Sequence, residues 1–263
     1  GADVGQARND GASPLYIAAQ DGHLDVVRLL LSGDADVGQT MNDGTSPLCI
    51  AADRGHVEVA RLLLDNRADV VNQADNDGES PLMIALQTGR AAVVRLLLGR
   101  GADVTQATNA AYGAETAVHV ASSQPTPDGV QALVSSTVAS RAAVWRVLSR
   151  PDAHGRTPLG TICGKATPGH LLALLEGTPP HDAPGGAQRA AVAAEFALLP
   201  RCAFRHAAPA WRAARGDIAR ALVRCGLVTD AQVAALTARE RHVVRALRAA
   251  HALRAASAAA VTA

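Results

Sequence analysis

Three stretches of the chain repeat one pattern: NDGASPLYIAAQDGHLDVVRLLL from Asn9, NDGTSPLCIAADRGHVEVARLLL from Asn42, and NDGESPLMIALQTGRAAVVRLLL from Asn76. Their prolines, Pro14, Pro47 and Pro81, stand 33 and 34 residues apart. Each copy holds a turn, a short apolar segment, a Gly or Gly-His break and a second apolar segment. A unit of that size cannot bury its apolar face alone, so the period predicts supersecondary elements stacked on one another. Such solenoids work through extended surfaces rather than one enclosed pocket.

Within each unit the local chemistry predicts two antiparallel helices. Asn-Asp-Gly supplies a tight turn with a Gly that tolerates positive φ, and Ser-Pro opens a helix where a missing N–H costs nothing. In the second unit Leu48, Ala51 and Ala52 share a face, and the small alanines let a neighbouring helix approach closely. Gly55-His56 closes that helix, and Val57, Ala60, Leu63 and Leu64 form the inner stripe of the next. The leucines therefore read as core between units.

These residues resemble the ankyrin-repeat family. SPL-x-x-A, the Gly-His break, LLL and the tails Gly33 to Val37, Asn66 to Val70 and Gly101 to Val104 carry the resemblance. The family's T-P-L-H-x-A appears as Ser-Pro-Leu with Tyr16, Cys49 and Met83 in the place of its histidine. Thr116-Ala117-Val118-His119-Val120-Ala121 keeps that histidine and lacks the proline, and Asp152-Ala153-His154-Gly155-Arg156-Thr157-Pro158-Leu159 opens a fifth unit. The resemblance implies an all-α ankyrin-repeat α-solenoid with β-hairpin-like turns and additional C-terminal helices. Well-formed units are expected over 1–122 (near 8–40, 41–74, 75–107 and from 108 to 122 onward), and degenerate ones over 123–178. A Pro/Gly linker is expected at 179–188, then an Ala/Arg-rich helical segment at 189–263 that reads as a degenerate or capping repeat. Gly1 to Val4 has the form of a repeat tail without its helices, so the chain is expected to be an excerpt of a longer protein.

Composition agrees with a helical stack. The chain is 48% hydrophobic but only 2% aromatic, so the core must be built of Ala, Leu and Val. No run reaches the roughly 18 apolar residues that a membrane helix needs. Cys49, Cys163, Cys202 and Cys225 are scattered, with no C-x-x-C pair and no secretory signal, which predicts a reduced, intracellular protein. Charge is segregated along the chain. Residues 1–104 hold 8 Arg against 15 acids, a net of −7, and residues 189–263 hold 12 Arg against 4 acids, a net of +8.

The chemical search predicts no enzyme. No P-loop, G-x-G-x-x-G, H-E-x-x-H or G-x-S-x-G occurs. Cys202 and His206 have half of a zinc-ligand spacing but no second pair, so no metal and no cofactor are expected. His23 and His56 follow a helix-ending glycine, where the resemblance implies structural hydrogen bonds.

In the ankyrin family partners contact the turn tips and the concave face of the first helices. Carried over by position, the implied tips are Arg8, Asn9, Asp10 and Ala12; Met41, Asn42, Asp43 and Thr45; and Asp75, Asn76, Asp77 and Glu79. The implied concave positions are Tyr16, Gln20 and Asp21; Cys49, Asp53 and Arg54; and Met83, Gln87 and Thr88. The implied function is a protein-binding scaffold, and the acidic array predicts a basic partner. Two other readings stay open. A two-site adaptor would dock a second protein on the C-terminal helices. Alternatively Arg241, Arg245 and Arg248, spaced along one face of a last helix that Thr229 and Gln232 would cap, could take nucleic acid or an acidic partner. The same spacing also suits the solvated face of a capping helix.

Overall fold

The computed structural model describes residues 3–136, 138–148, 150–164, 169–176 and 217–218. The linker, nearly all of the C-terminal segment, and Arg241, Arg245, Arg248, Cys202, His206, Thr229 and Gln232 lie outside the described residues. Among those residues the fold is helical, with only an isolated bridge between Ala107 and Thr116.

Helix pairs follow one another: α1 (Pro14–Asp21) and α2 (Leu24–Ser32), α3 (Pro47–Arg54) and α4 (Val57–Asn66), α5 (Pro81–Gln87) and α6 (Ala91–Gly99), α7 (Ala117–Ser123) and α8 (Asp128–Ser135). The first helices start where Ser-Pro places them. Ser13, Ser46 and Ser80 accept from the backbone N–H groups of Tyr16, Cys49 and Met83 at 3.1, 3.1 and 3.4 Å, which satisfies a donor that the helix start leaves open. All three serines are buried, so each cap also faces the core. Gly22 and Gly55 end α1 and α3 in the left-handed conformation.

Stacking then builds two rows. α1, α3, α5, α7 and α10 (Pro158–Gly164) pack in one, and α2, α4, α6, α8 and α11 (Gly169–Glu176) in the other. A further helix, α9 (Val138–Val147), is inserted between the fourth and fifth pairs and packs on α8. Nothing in the repeat pattern announced it. The core runs between the rows through Leu15, Leu48, Leu63, Leu82, Leu97, Leu133 and Leu159, each at most 1% exposed. Alanines at 0% exposure, Ala19, Ala51, Ala52, Ala60 and Ala85, let the helices approach, which is how a chain so poor in aromatics fills its interior.

Three ladders of hydrogen bonds tie unit to unit. Asn42, Asn76 and Asn109 donate their side-chain amides to the carbonyls of Asn9, Asn42 and Asn76, at 3.0, 3.1 and 2.7 Å. Gln39, Gln73 and Gln106 do the same toward Gly5, Gly38 and Asn72, at 3.0, 3.0 and 3.3 Å. On the opposite edge His56 Nε2 meets the Gln20 carbonyl at 3.1 Å, and Arg90 Nε donates to the Asp53 carbonyl at 2.8 Å. Close approach at the tips explains one glycine. A Cβ on Gly44, at φ 85°, would stand 2.6 Å from the Asn76 backbone nitrogen.

Candidate functional site

The tips lie along one edge of the stack, each closed by a backbone bond across its base and turned by a second one inside it, from Gly11, Gly44 or Gly78 N to the Arg8, Met41 or Asp75 carbonyl. Arg8 N donates to the Ala12 carbonyl, Met41 N to Thr45, and Asp75 N to Glu79, at 3.0, 3.0 and 3.1 Å. Inside each tip an Asp carboxylate accepts from the backbone. Asp10 takes the N–H of Ala12, Asp43 that of Thr45, and Asp75 those of both Asp77 and Glu79. These bonds make the tips rigid and fix where their remaining side-chain atoms point.

Exposure sorts the residues implied by the family. Arg8, Asn9, Asp10, Asp21, Asn42, Asp43, Arg54, Asn76, Gln87 and Thr88 are exposed. Gln20, Met41, Thr45, Asp53, Asp75, Asp77 and Glu79 are half-buried. Four do not lie on the surface: Cys49 and Met83 at 0% exposure, Ala12 at 4% and Tyr16 at 8%. The physical reason is position. Tyr16, Cys49 and Met83 follow their capping serines by three residues, which turns their side chains into the contact between successive first helices. Burial pushes the Cys49 thiol up to about 11, and its Sγ sits 3.7 Å from the Gln73 carbonyl, so it is a protonated core group.

The amides of Asn42 and Asn76 are spent on the ladder, which leaves the carboxylates as the variable chemistry of the edge. Their ion pairing is uneven. Toward the second helices and the tails, Glu58 pairs with Arg61, Asp36 and Asp69 with Arg67, and Asp65 with Arg100. At the tips Asp10 pairs with Arg8, and near the end of α3 Asp53 pairs with Arg54. Asp43, Asp75, Asp77 and Glu79 have no cationic partner among the described residues; Glu79 accepts from the Gln87 amide. The edge therefore carries a run of carboxylates without an ion-pair partner among the described residues.

One residue on this edge escaped the sequence reading. Tyr112 is 58% exposed and stands beside Asp77, whose hydrogen bond and charge push the phenol's pKa up. The available signal was spacing, because the fourth tip is three residues longer than the third between its Asn and its Glu. The Gln ladder was also legible and unread, as Gln6, Gln39, Gln73 and Gln106 recur at 33 or 34 residues.

The fourth and fifth units meet at a tighter polar cluster. The Asp152 carboxylate, 1% exposed, accepts from the backbone of His154 and Arg156 at 2.8 Å each and from Arg156 Nε at 2.7 Å. Burial acts to raise its pKa, and the bonds from Arg156 and His154 outweigh that, so the carboxyl stays below its usual range. Arg156 also reaches Glu115 at 2.7 Å, tying this tip to the fourth. His119 Nδ1 takes the Thr116 N–H at 3.2 Å and lies 2.9 Å from the Thr116 hydroxyl. Its Nε2 is buried without a hydrogen-bond partner among the described residues.

Among the described residues no group of three His, Cys, Asp or Glu could hold a metal ion, and no helix is long and apolar enough to cross a membrane. No curated protein matches the chain. Residues 15–108 match the family model described as ankyrin repeats, in 3 copies, which coincides with the first three helix pairs and the entry to the fourth. With that match, the period and the stacked helix pairs together, residues 15–108 form an ankyrin-repeat array.

Proposed function

We propose that the protein is a non-enzymatic, intracellular scaffold that captures a basic segment of another protein on its acidic tip edge. Ankyrin repeats generally mediate protein–protein interaction. The observation that supports the finer reading is the uneven pairing of charge. Glu58, Asp36, Asp69 and Asp65 pair with Arg61, Arg67 and Arg100, while Asp43, Asp75, Asp77 and Glu79 stand together at the second and third tips with no cationic partner among the described residues. Unmatched charge of one sign on a rigid edge favours a partner of the other sign, chiefly through its association rate. The contact surface comprises the exposed and half-buried tip residues with Gln20, Asp21, Asp53, Arg54, Gln87 and Thr88, and excludes Ala12, Tyr16, Cys49 and Met83.

The test measures binding of a basic peptide library and of generic DNA to the full chain and to a chain without residues 229–263. Peptide binding that survives truncation supports the tip edge. DNA binding that disappears with the tail would instead favour Arg241, Arg245 and Arg248 as the contact residues.

A further inference from the structure

The fourth tip is built differently from its neighbours. In the first, second, third and fifth units the closing backbone bond spans four residues, as from Asp75 N to Glu79 O and from Asp152 N to Arg156 O. In the fourth it runs from Thr108 N to Glu115 O at 2.9 Å, so the tip holds three additional residues. They form a 3-10 turn at Ala110–Tyr112. The buried Thr108 hydroxyl closes the loop by donating to the Tyr112 carbonyl at 3.3 Å and accepting the Glu115 N–H at 3.0 Å. The loop is fastened to the third tip by Asn109, whose N–H reaches the Asp77 carbonyl at 2.9 Å and whose amide reaches the Asn76 carbonyl at 2.7 Å.

This insertion delivers one side chain to the edge. Tyr112 is 58% exposed, whereas Tyr16 and Trp145 are buried at 8% and 2%. A ring left in water on a rigid loop contributes nothing to the core, and exposed aromatics beside unmatched charge are the anchors that interfaces favour. The Tyr112 hydroxyl shares a hydrogen bond with the Asp77 carboxylate and also feels the charge of Asp75, on the third tip to which Asn109 fastens the loop, and neither carboxylate has a cationic partner among the described residues.

We propose that Tyr112, Asp77 and Asp75 form the subsite that receives an arginine side chain of the basic segment. A guanidinium can lie flat on the phenol ring while its N–H groups meet the carboxylates. A lysine ammonium, a compact and strongly hydrated point charge, gains less from that geometry. The assignment rests on the reading that the acidic edge binds a basic segment, and it adds the identity of the preferred cation and the residue that selects it.

The experiment compares two fluorescent peptides of equal length and charge, one built of alternating Gly and Arg and the other of alternating Gly and Lys. Binding is measured by anisotropy at 0.15 M salt to the full chain and to Tyr112→Ala, Tyr112→Phe and Asp77→Asn, with circular dichroism as the folding control. The unmodified chain is expected to prefer the Arg peptide by about 3- to 5-fold. Tyr112→Ala should abolish that preference while still binding both peptides, Tyr112→Phe should keep it, and Asp77→Asn should weaken the Arg peptide more than the Lys peptide. A preference that survives Tyr112→Ala, or the lack of one in the unmodified chain, overturns the subsite while leaving the acidic edge in place. If neither peptide binds the unmodified chain, the acidic-edge reading falls and the subsite with it.

Discussion

Leu63 and Leu29 occupy neighbouring positions on second helices and should answer truncation differently. Leu63 is at 0% exposure between α4 and its neighbours, and Leu29 on α2 is 71% exposed. Leu63→Ala removes buried methyl groups and leaves a cavity, at a cost of about 2 to 5 kcal/mol. Leu29→Ala and the tip variant Thr45→Ala should each stay within about 0.5 kcal/mol. Urea denaturation midpoints check the contrast, and similar midpoints for Leu63→Ala and Leu29→Ala would contradict the assignment of the core. His119 adds a pH dependence at the same scale. Burial lowers its pKa from the usual 6.5, against the raising influence of the Arg150 and Arg156 carbonyls, Asp152 and Glu115. The folded state therefore holds the imidazole neutral, and the unfolded chain takes up the proton first. Stability is full above about pH 6.5 and falls as pH drops below that value, until the folded-state pKa is passed. His119→Gln should flatten the loss below about pH 6.5. Urea titrations at each pH read this out, and an unchanged slope in the variant would remove His119 as its source.

Between elements the ladders predict a graded response. Asn76→Ala loses the amide bond to the Asn42 carbonyl and should cost about 0.5 to 1.5 kcal/mol. Asn9→Ala serves as its control, because its side chain has no ladder partner among the described residues and only its carbonyl is used. Equal destabilisation by the two would mean that the ladder amides contribute little. The start of each first helix was readable because Ser-Pro carries its own mechanism, and the breaks at Gly22 and Gly55 followed from their left-handed φ. The inner stripe of α4 was readable in part: Ala60, Leu63 and Leu64 are buried, Val57 is only half-buried, and Val59, left out of the stripe, is at 2% exposure. The candidate surface was less legible. Family position placed Cys49 and Met83 on a face that the helix stagger turns inward, and the apolar character of Cys and Met was the cue that their place is the core. α9 gave no signal because its residues, VASRAAVWRV, follow no repeat and set Arg among small apolar residues.

For the molecule as a whole, the decisive property is where charge stands relative to the stack. A basic partner attracted by unmatched tip carboxylates should associate more slowly as salt shortens the Debye length from about 10 Å at 0.1 M to about 3 Å at 1 M. Asp77→Asn with Glu79→Gln should reduce the association rate and its salt dependence together, leaving dissociation less affected. Folding stability should change little, since exposed charges contribute only about 0 to 1 kcal/mol each. Asp75→Asn is the instructive companion. Its Oδ1 accepts from the N–H groups of Asp77 and Glu79 at 3.0 and 2.9 Å, and an Asn oxygen can accept both, so the tip keeps its shape and loses only charge. Asp75→Ala removes the acceptor as well and should loosen the tip. Stopped-flow association with a basic peptide, paired with thermal melts, separates the two contributions. If Asp75→Asn left association and its salt dependence unchanged while Asp75→Ala slowed association, the tips would act through shape, and a charge-based account of this edge would have to be abandoned.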